Sequence, residues 1–134
     1  MPAGVHSVTW GEFEFTFGTL TPRRVWLLGR FQALIALASS TGMLRRAFVW
    51  GSYVTAKPSP GDIDVLSIMD ESFEAERVAV AQPVFDSTRA KLLFDADVFW
   101  ARASIGEDVL GIWLDTYQVS RSFQKRGIVE LELR

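Results

Sequence analysis

The stretch that most constrains this chain lies between Ala47 and Met69, where two apolar runs flank a turn-rich connection. The first run, Ala47 to Trp50, reads as a buried strand and stops at Gly51-Ser52. Lys57, Pro58, Ser59, Pro60 and Gly61 then favour a turn over any regular element. The second run, Ile63 to Met69, is again strand-like, but Asp62 and Asp64 interrupt its start. Side chains alternate faces along a strand, so these two acids point the same way, roughly 7 Å apart. Two carboxylates on one face of an apolar strand repel each other and lose hydration. A cation is needed to compensate them, and hard oxygen donors of this kind suit Mg²⁺ or Mn²⁺.

Composition narrows the classes of function. With 134 residues, 49% of them hydrophobic and 13% aromatic, the chain can bury a real core as one domain, residues 1–134, and is not a disordered segment. A formal net charge of −2 disfavours a dedicated nucleic-acid binder, which carries a basic excess. Cysteine is absent, which removes disulfides and thiolate metal sites and makes a reducing cytoplasm the expected location. The single histidine, His6, excludes a histidine-based metal centre. Residues 1–9 lack the basic and apolar regions of a secretory leader, and the longest apolar stretch, Phe31 to Ala38, is too short for a bilayer, so no membrane association is expected.

In chain order, residues 1–20 read as an N-terminal arm. Phe13, Phe15 and Phe17 alternate with Glu14 and Thr16, which predicts a short strand or a flap packed on the core. Thr21 as N-cap, Pro22 in the first turn and Gly42 past the end define a helix. Its expected buried stripe is Val25, Leu28, Phe31, Leu34, Ile35 and Ala38, with Arg23, Arg24 and Arg30 on a solvated face. Strands are expected over Arg46–Trp50, Asp62–Met69 and Leu93–Ala101, with one helical turn from Ser52 to Ala56. Helix is expected over Glu71–Ala81, over a turn capped by Asp86 or Ser87 that runs through Leu92, and over Glu107–Gln118. In the last of these Val109, Leu110, Ile112, Trp113 and Tyr117 are available for packing. After a turn at Gln124 to Arg126, the alternating end from Gly127 to Leu133 reads as a half-exposed edge strand.

Gly51-Ser52, a short connection and Asp62-Ile63-Asp64 together resemble the signature of the nucleotidyltransferase superfamily with the polymerase-beta-like fold, and the chain is similar in length to its minimal stand-alone members. With Thr9 to Phe13 and Phe17 to Thr19 ahead of the motif, most of the chain also resembles a group of uncharacterised bacterial proteins. The resemblance implies an α/β fold, a small mixed β-sheet flanked by helices. It implies a third metal-binding carboxylate on the third strand, where Asp97, between Ala96 and Val98, matches best and Asp95 is held in reserve. Asp62, Asp64 and Asp97 would then be both catalytic residues and metal ligands. Gly51, Ser52 and Lys57 would bind the nucleotide: glycine admits the phosphates, and amides, hydroxyl and ammonium meet their oxygens. Arg89 and Lys91 are lesser candidates for the same role.

The activity implied is Mg²⁺-dependent transfer of a nucleoside monophosphate from an NTP, with ATP the expected donor, to a hydroxyl of a protein, RNA or small molecule. Such chemistry rests on charge neutralisation and in-line positioning. Among the resembling enzymes are antitoxins that adenylylate a cognate toxin; these carry an arginine after Gly-Ser and a serine before the Asp pair, where this chain has Thr55 to Lys57 and Gly61. A partner protein or a homodimer would supply acceptor recognition. The alternative class is a non-catalytic antitoxin that neutralises its partner by contact. Tyr53, Trp50 and Trp100 are read as packing residues ahead of nucleotide contacts.

Overall fold

The two apolar runs form neighbouring strands. In the computed structural model, which describes residues 4–55, 57–117 and 127–133, β2 (Leu44–Trp50) pairs antiparallel with β3 (Ile63–Met69). The chain crosses back through α3 (Ser87–Phe94) to β4 (Ala96–Arg102), which lies parallel to β3. On the other side β5 (Gly127–Leu131) pairs antiparallel with β2 and parallel with β1 (Gly4–Val8). The result is a five-stranded mixed sheet in the order β1-β5-β2-β3-β4. With α1 (Trp10–Phe13), α2 (Pro22–Ser40) and α4 (Glu107–Tyr117), this is a mixed α/β fold.

Alternation assigns the two faces. Val49, Ile63, Val65, Ala96, Val98, Val129 and Leu131 pack with Phe13, Phe31, Leu34 and Phe94, so α1, α2 and α3 cover one face. Phe48, Trp50, Leu66, Ile68 and Ile128 meet Leu110 and Leu114 of α4 on the other. Asp64 and Asp97 have the phase of Leu66 and Phe99, which puts them on the α4 face. Among the described residues no helix is long and apolar enough to cross a membrane.

Several expectations need correction. Of the two readings of Phe13–Phe17, a packed flap holds and a strand does not. Thr9 and Glu12 form a reciprocal capping box that starts α1, and the chain continues as a π-helical turn over Glu14–Gly18. Phe13 and Phe17 therefore share a buried face while Phe15 is 82% exposed. The arm also contributes β1, which was not foreseen. The α2 stripe holds at Leu28, Phe31, Leu34 and Ala38, with Ile35 packed at its margin, but Val25 is exposed and Arg24 and Leu27 are buried in its stead. No helix spans Glu71–Ala81. The Asp70 carboxylate takes the Ser72 amide and hydroxyl, Phe73 is buried, and only a 3-10 turn at Ala75–Arg77 follows.

Leu93 and Phe94 end α3 and do not begin β4, because Asp95 adopts a left-handed C-cap conformation (φ 51°). The turn after Gly51 is a 3-10 turn over Ser52–Val54; its expected end, Ala56, lies outside the described residues, as do Gln118 and the Gln124–Arg126 turn. In α4, Val109 and Ile112 are exposed and do not pack. Finally, β5 is not an edge strand: it lies between β1 and β2 with Ile128 and Val129 fully buried. Its acid Glu130 looked solvated in sequence but accepts two bonds from Arg46, at 2.8 and 3.0 Å.

Candidate functional site

The register of β3 on β4 sets Asp64 directly beside Asp97, and Asp62 sits one residue ahead of β3. Asp62, Asp64 and Asp97 each offer a carboxylate oxygen, and these oxygens lie within 4.8 Å of one another. The three acids singled out in sequence are thus brought together. Asp95, the reserve, is turned away: its left-handed backbone breaks the alternation, and its carboxylate pairs with Arg23 at 3.3 Å.

One cation reaches the cluster from α3. Lys91 Nζ donates to Asp62 Oδ2 at 2.7 Å and lies 3.8 Å from Asp97 Oδ1. The charges respond accordingly. Burial works to raise the Asp62 carboxyl, but the hydrogen bonds from Lys91 and Asp97 and the Lys91 charge outweigh it and hold the group below its ordinary value. Asp64 is pushed up to about 7, first by burial and then by the neighbouring charges of Asp62 and Asp97. Burial, followed by the hydrogen bond and charge of Asp62, also raises Asp97. Lys91 rises through its bond to Asp62. The cluster remains short of positive charge on its Asp64 side.

Gly51 closes that side. Its backbone (φ 81°, ψ −160°) belongs to a region that is essentially glycine-only, and a Cβ there would collide with the Asp64 carboxylate. The loop from Gly51 to Gly61 is pinned by the first turn of α2. Arg24 is fully buried and donates to the carbonyls of Phe17, Ser52, Tyr53, Thr55 and Lys57, with distances from 2.6 to 3.5 Å. Arg23 donates to the carbonyls of Pro60 and Gly61 at 3.0 and 2.6 Å, and the Thr21 hydroxyl to that of Pro58 at 2.7 Å. These arginines are structural clamps and not the solvated face expected of them. The signal was available: Arg24, Leu27, Leu28, Phe31, Leu34 and Ala38 follow helical spacing as well as the stripe that begins at Val25.

Desolvation lowers the Arg24 guanidinium. Tyr53 is buried beneath it, donates its hydroxyl to the Arg24 carbonyl at 3.2 Å, and is pushed up to about 12 by burial. Trp50 stacks on Tyr117 at 4.1 Å, and Trp100 meets Phe73 edge-on at 5.1 Å. Ser52 opens the 3-10 turn next to Gly51. Lys57 keeps its side chain exposed while Arg24 holds its carbonyl, so geometry does not bring its ammonium onto the acids. Arg89 is directed at Gln82. A separate cleft of about 520 Å³ lies between α1, α2 and the end of β5, and none of the three acids lines it.

Residues 1–132 match the model of a family described as family of unknown function (DUF6932), and the chain belongs to that family. No curated protein and no solved structure matches it.

Proposed function

From membership of a family without an assigned activity, we propose that this chain is a divalent-metal-dependent nucleotidyltransferase built on a minimal polymerase-beta-like fold. One observation carries the reading: three carboxylates, two on adjacent parallel strands and one just ahead of β3, converge beside a glycine at which a side chain would collide with Asp64. The donor set is all oxygen and anionic, which fits Mg²⁺ or Mn²⁺. Three carboxylates face a single ammonium, that of Lys91, and Asp64 is raised first by burial and then by the charges of Asp62 and Asp97. Asp62, Asp64 and Asp97 would hold the metal, which supplies charge neutralisation for a triphosphate and its leaving group.

The chain's own groups account for the remaining steps. Gly51 and Ser52 bring backbone amides and a hydroxyl to the phosphates of an NTP, ATP by expectation, and exposed Lys57 adds a point charge. The Arg24 clamp keeps that loop in one shape, so little is spent on ordering it when the nucleotide arrives. The acceptor hydroxyl oxygen bonds to the α-phosphorus, the bond to pyrophosphate breaks, and Asp97, open to solvent at the edge of the cluster, takes the hydroxyl proton. The acceptor is a protein, RNA or small-molecule hydroxyl.

The test uses [α-³²P]ATP and [γ-³²P]ATP with Mg²⁺ or Mn²⁺ and a cell extract. Label should pass to an acceptor from the α- but not the γ-labelled nucleotide, and Asp64→Asn and Asp97→Asn should lose it while remaining folded. Absence of transfer from all four α-labelled NTPs, together with no metal-dependent nucleotide binding, would overturn the proposal.

A further inference from the structure

Lys91 stands among the acids and not beside them. Ala90 and Phe94 are buried and anchor α3, Asp86 caps its start, and the Asp95 carbonyl accepts from Ile63 N at 3.1 Å, tying the helix end to the first residue of β3. The backbone that carries Lys91 is therefore fixed relative to the cluster. Its ammonium spans the edge between Asp62 and Asp97 and makes no ion pair with Asp64. Arg23, the other cation acting on Asp62, is committed to Asp95 and to the carbonyls of Pro60 and Gly61.

A paired-ion site needs two divalent ions about 4 Å apart, both sharing the same carboxylates. Here the Asp62–Asp97 edge already holds a cation, and the edges that reach Asp64 do not. Once all three carboxylates are ionised, as ligation of a divalent ion requires, they and the one ammonium leave two negative charges, which one such ion matches. We propose that Lys91 takes the place of the second metal ion, so that this site binds a single divalent cation on its Asp64 side. The inference rests on the reading of these acids as a metal site and says how that site is filled.

Electron paramagnetic resonance with Mn²⁺ decides it. Titrated with Mn²⁺ alone, the wild type should bind one ion per chain. In the presence of α,β-methylene-ATP it should keep the spectrum of an isolated ion. Lys91→Met removes the ammonium from a half-exposed position, so folding is not at risk. It should bind a second ion and give the spectrum of a spin-coupled pair with the analogue, and Lys91→Arg should restore the isolated signal. A coupled pair in the wild type, or identical stoichiometry in wild type and Lys91→Met, overturns the role of Lys91 and leaves the metal site standing. If Mn²⁺ binds to none of these proteins, with or without the analogue, the metal site itself falls and Lys91 with it.

Discussion

Two cations serve the same motif in opposite ways. Arg24 is sealed beneath the Gly51–Lys57 loop, and its charge is met by neutral carbonyl oxygens. Lys91 is 48% exposed and is met by carboxylates. A guanidinium whose five donors are spent on fixed backbone oxygens has nothing to exchange with, and it holds one loop shape permanently. An ammonium on a flexible stem, open to water and facing acids, is held by charge more than by direction, and it leaves the Asp64 side of the cluster without an ion pair. The loop is thus held by directed hydrogen bonds to neutral oxygens, and the acid cluster by charge that Lys91 only partly balances.

The largest effect should come from breaking the permanent half. Arg24→Met strands buried carbonyls with no donor and should cost about 3–5 kcal/mol in urea unfolding. A loss below about 1 kcal/mol would mean that the loop is held by other contacts. Where the two regions touch, Gly51→Ala combines a disfavoured backbone with a collision at Asp64, and should cost about 1–3 kcal/mol. It should also weaken Mn²⁺ binding. Unchanged metal affinity in a folded Gly51→Ala protein would separate the loop from the cluster.

The smallest effect sharpens the half held by charge. The Asp64 carboxyl titrates near 7 in the folded protein against an ordinary value of 3.8. Folding therefore favours the protonated acid: its contribution is fully present below about pH 4 and is lost as pH rises through about 7. With EDTA present, wild-type stability should fall over that window by about 1–2 kcal/mol, solvent contact at a part-exposed cluster being allowed for. Asp64→Asn should flatten the profile and melt higher than wild type at pH 8. Parallel profiles for the two proteins would show that Asp64 carries no unrelieved charge.

The acids were legible in the sequence for a local reason. Asp62 and Asp64 interrupt an apolar run, and alternation places them on one face; the family resemblance points to Asp97, and the register of β3 on β4 sets it beside Asp64. Asp95 shares that spacing, and only the left-handed cap that ends α3 takes it out of phase. The clamps were less legible because arginine on a helix reads as solvated, and Arg24 is buried only through carbonyls supplied by a distant loop. β5 was misread on the same principle. Glu130 imitates an exposed face until Arg46, 84 positions away in the chain, is brought beside it. Pairing between remote segments leaves no local periodicity to read.

The placement of β5 has a consequence for how the chain assembles. β2, β3 and β4 are consecutive in the chain and can pair as soon as they exist, whereas Gly4 finds its partner only at Gly127. Contacts this remote are slow to close. Until Gly127–Leu131 arrives, β2 presents Ala47, Phe48 and Val49 as an open apolar edge, the kind of strand that templates pairing between chains. During synthesis that edge stays open from the emergence of Trp50 until Gly127 follows it, and in that interval the unpaired strand is most exposed to pairing with other chains.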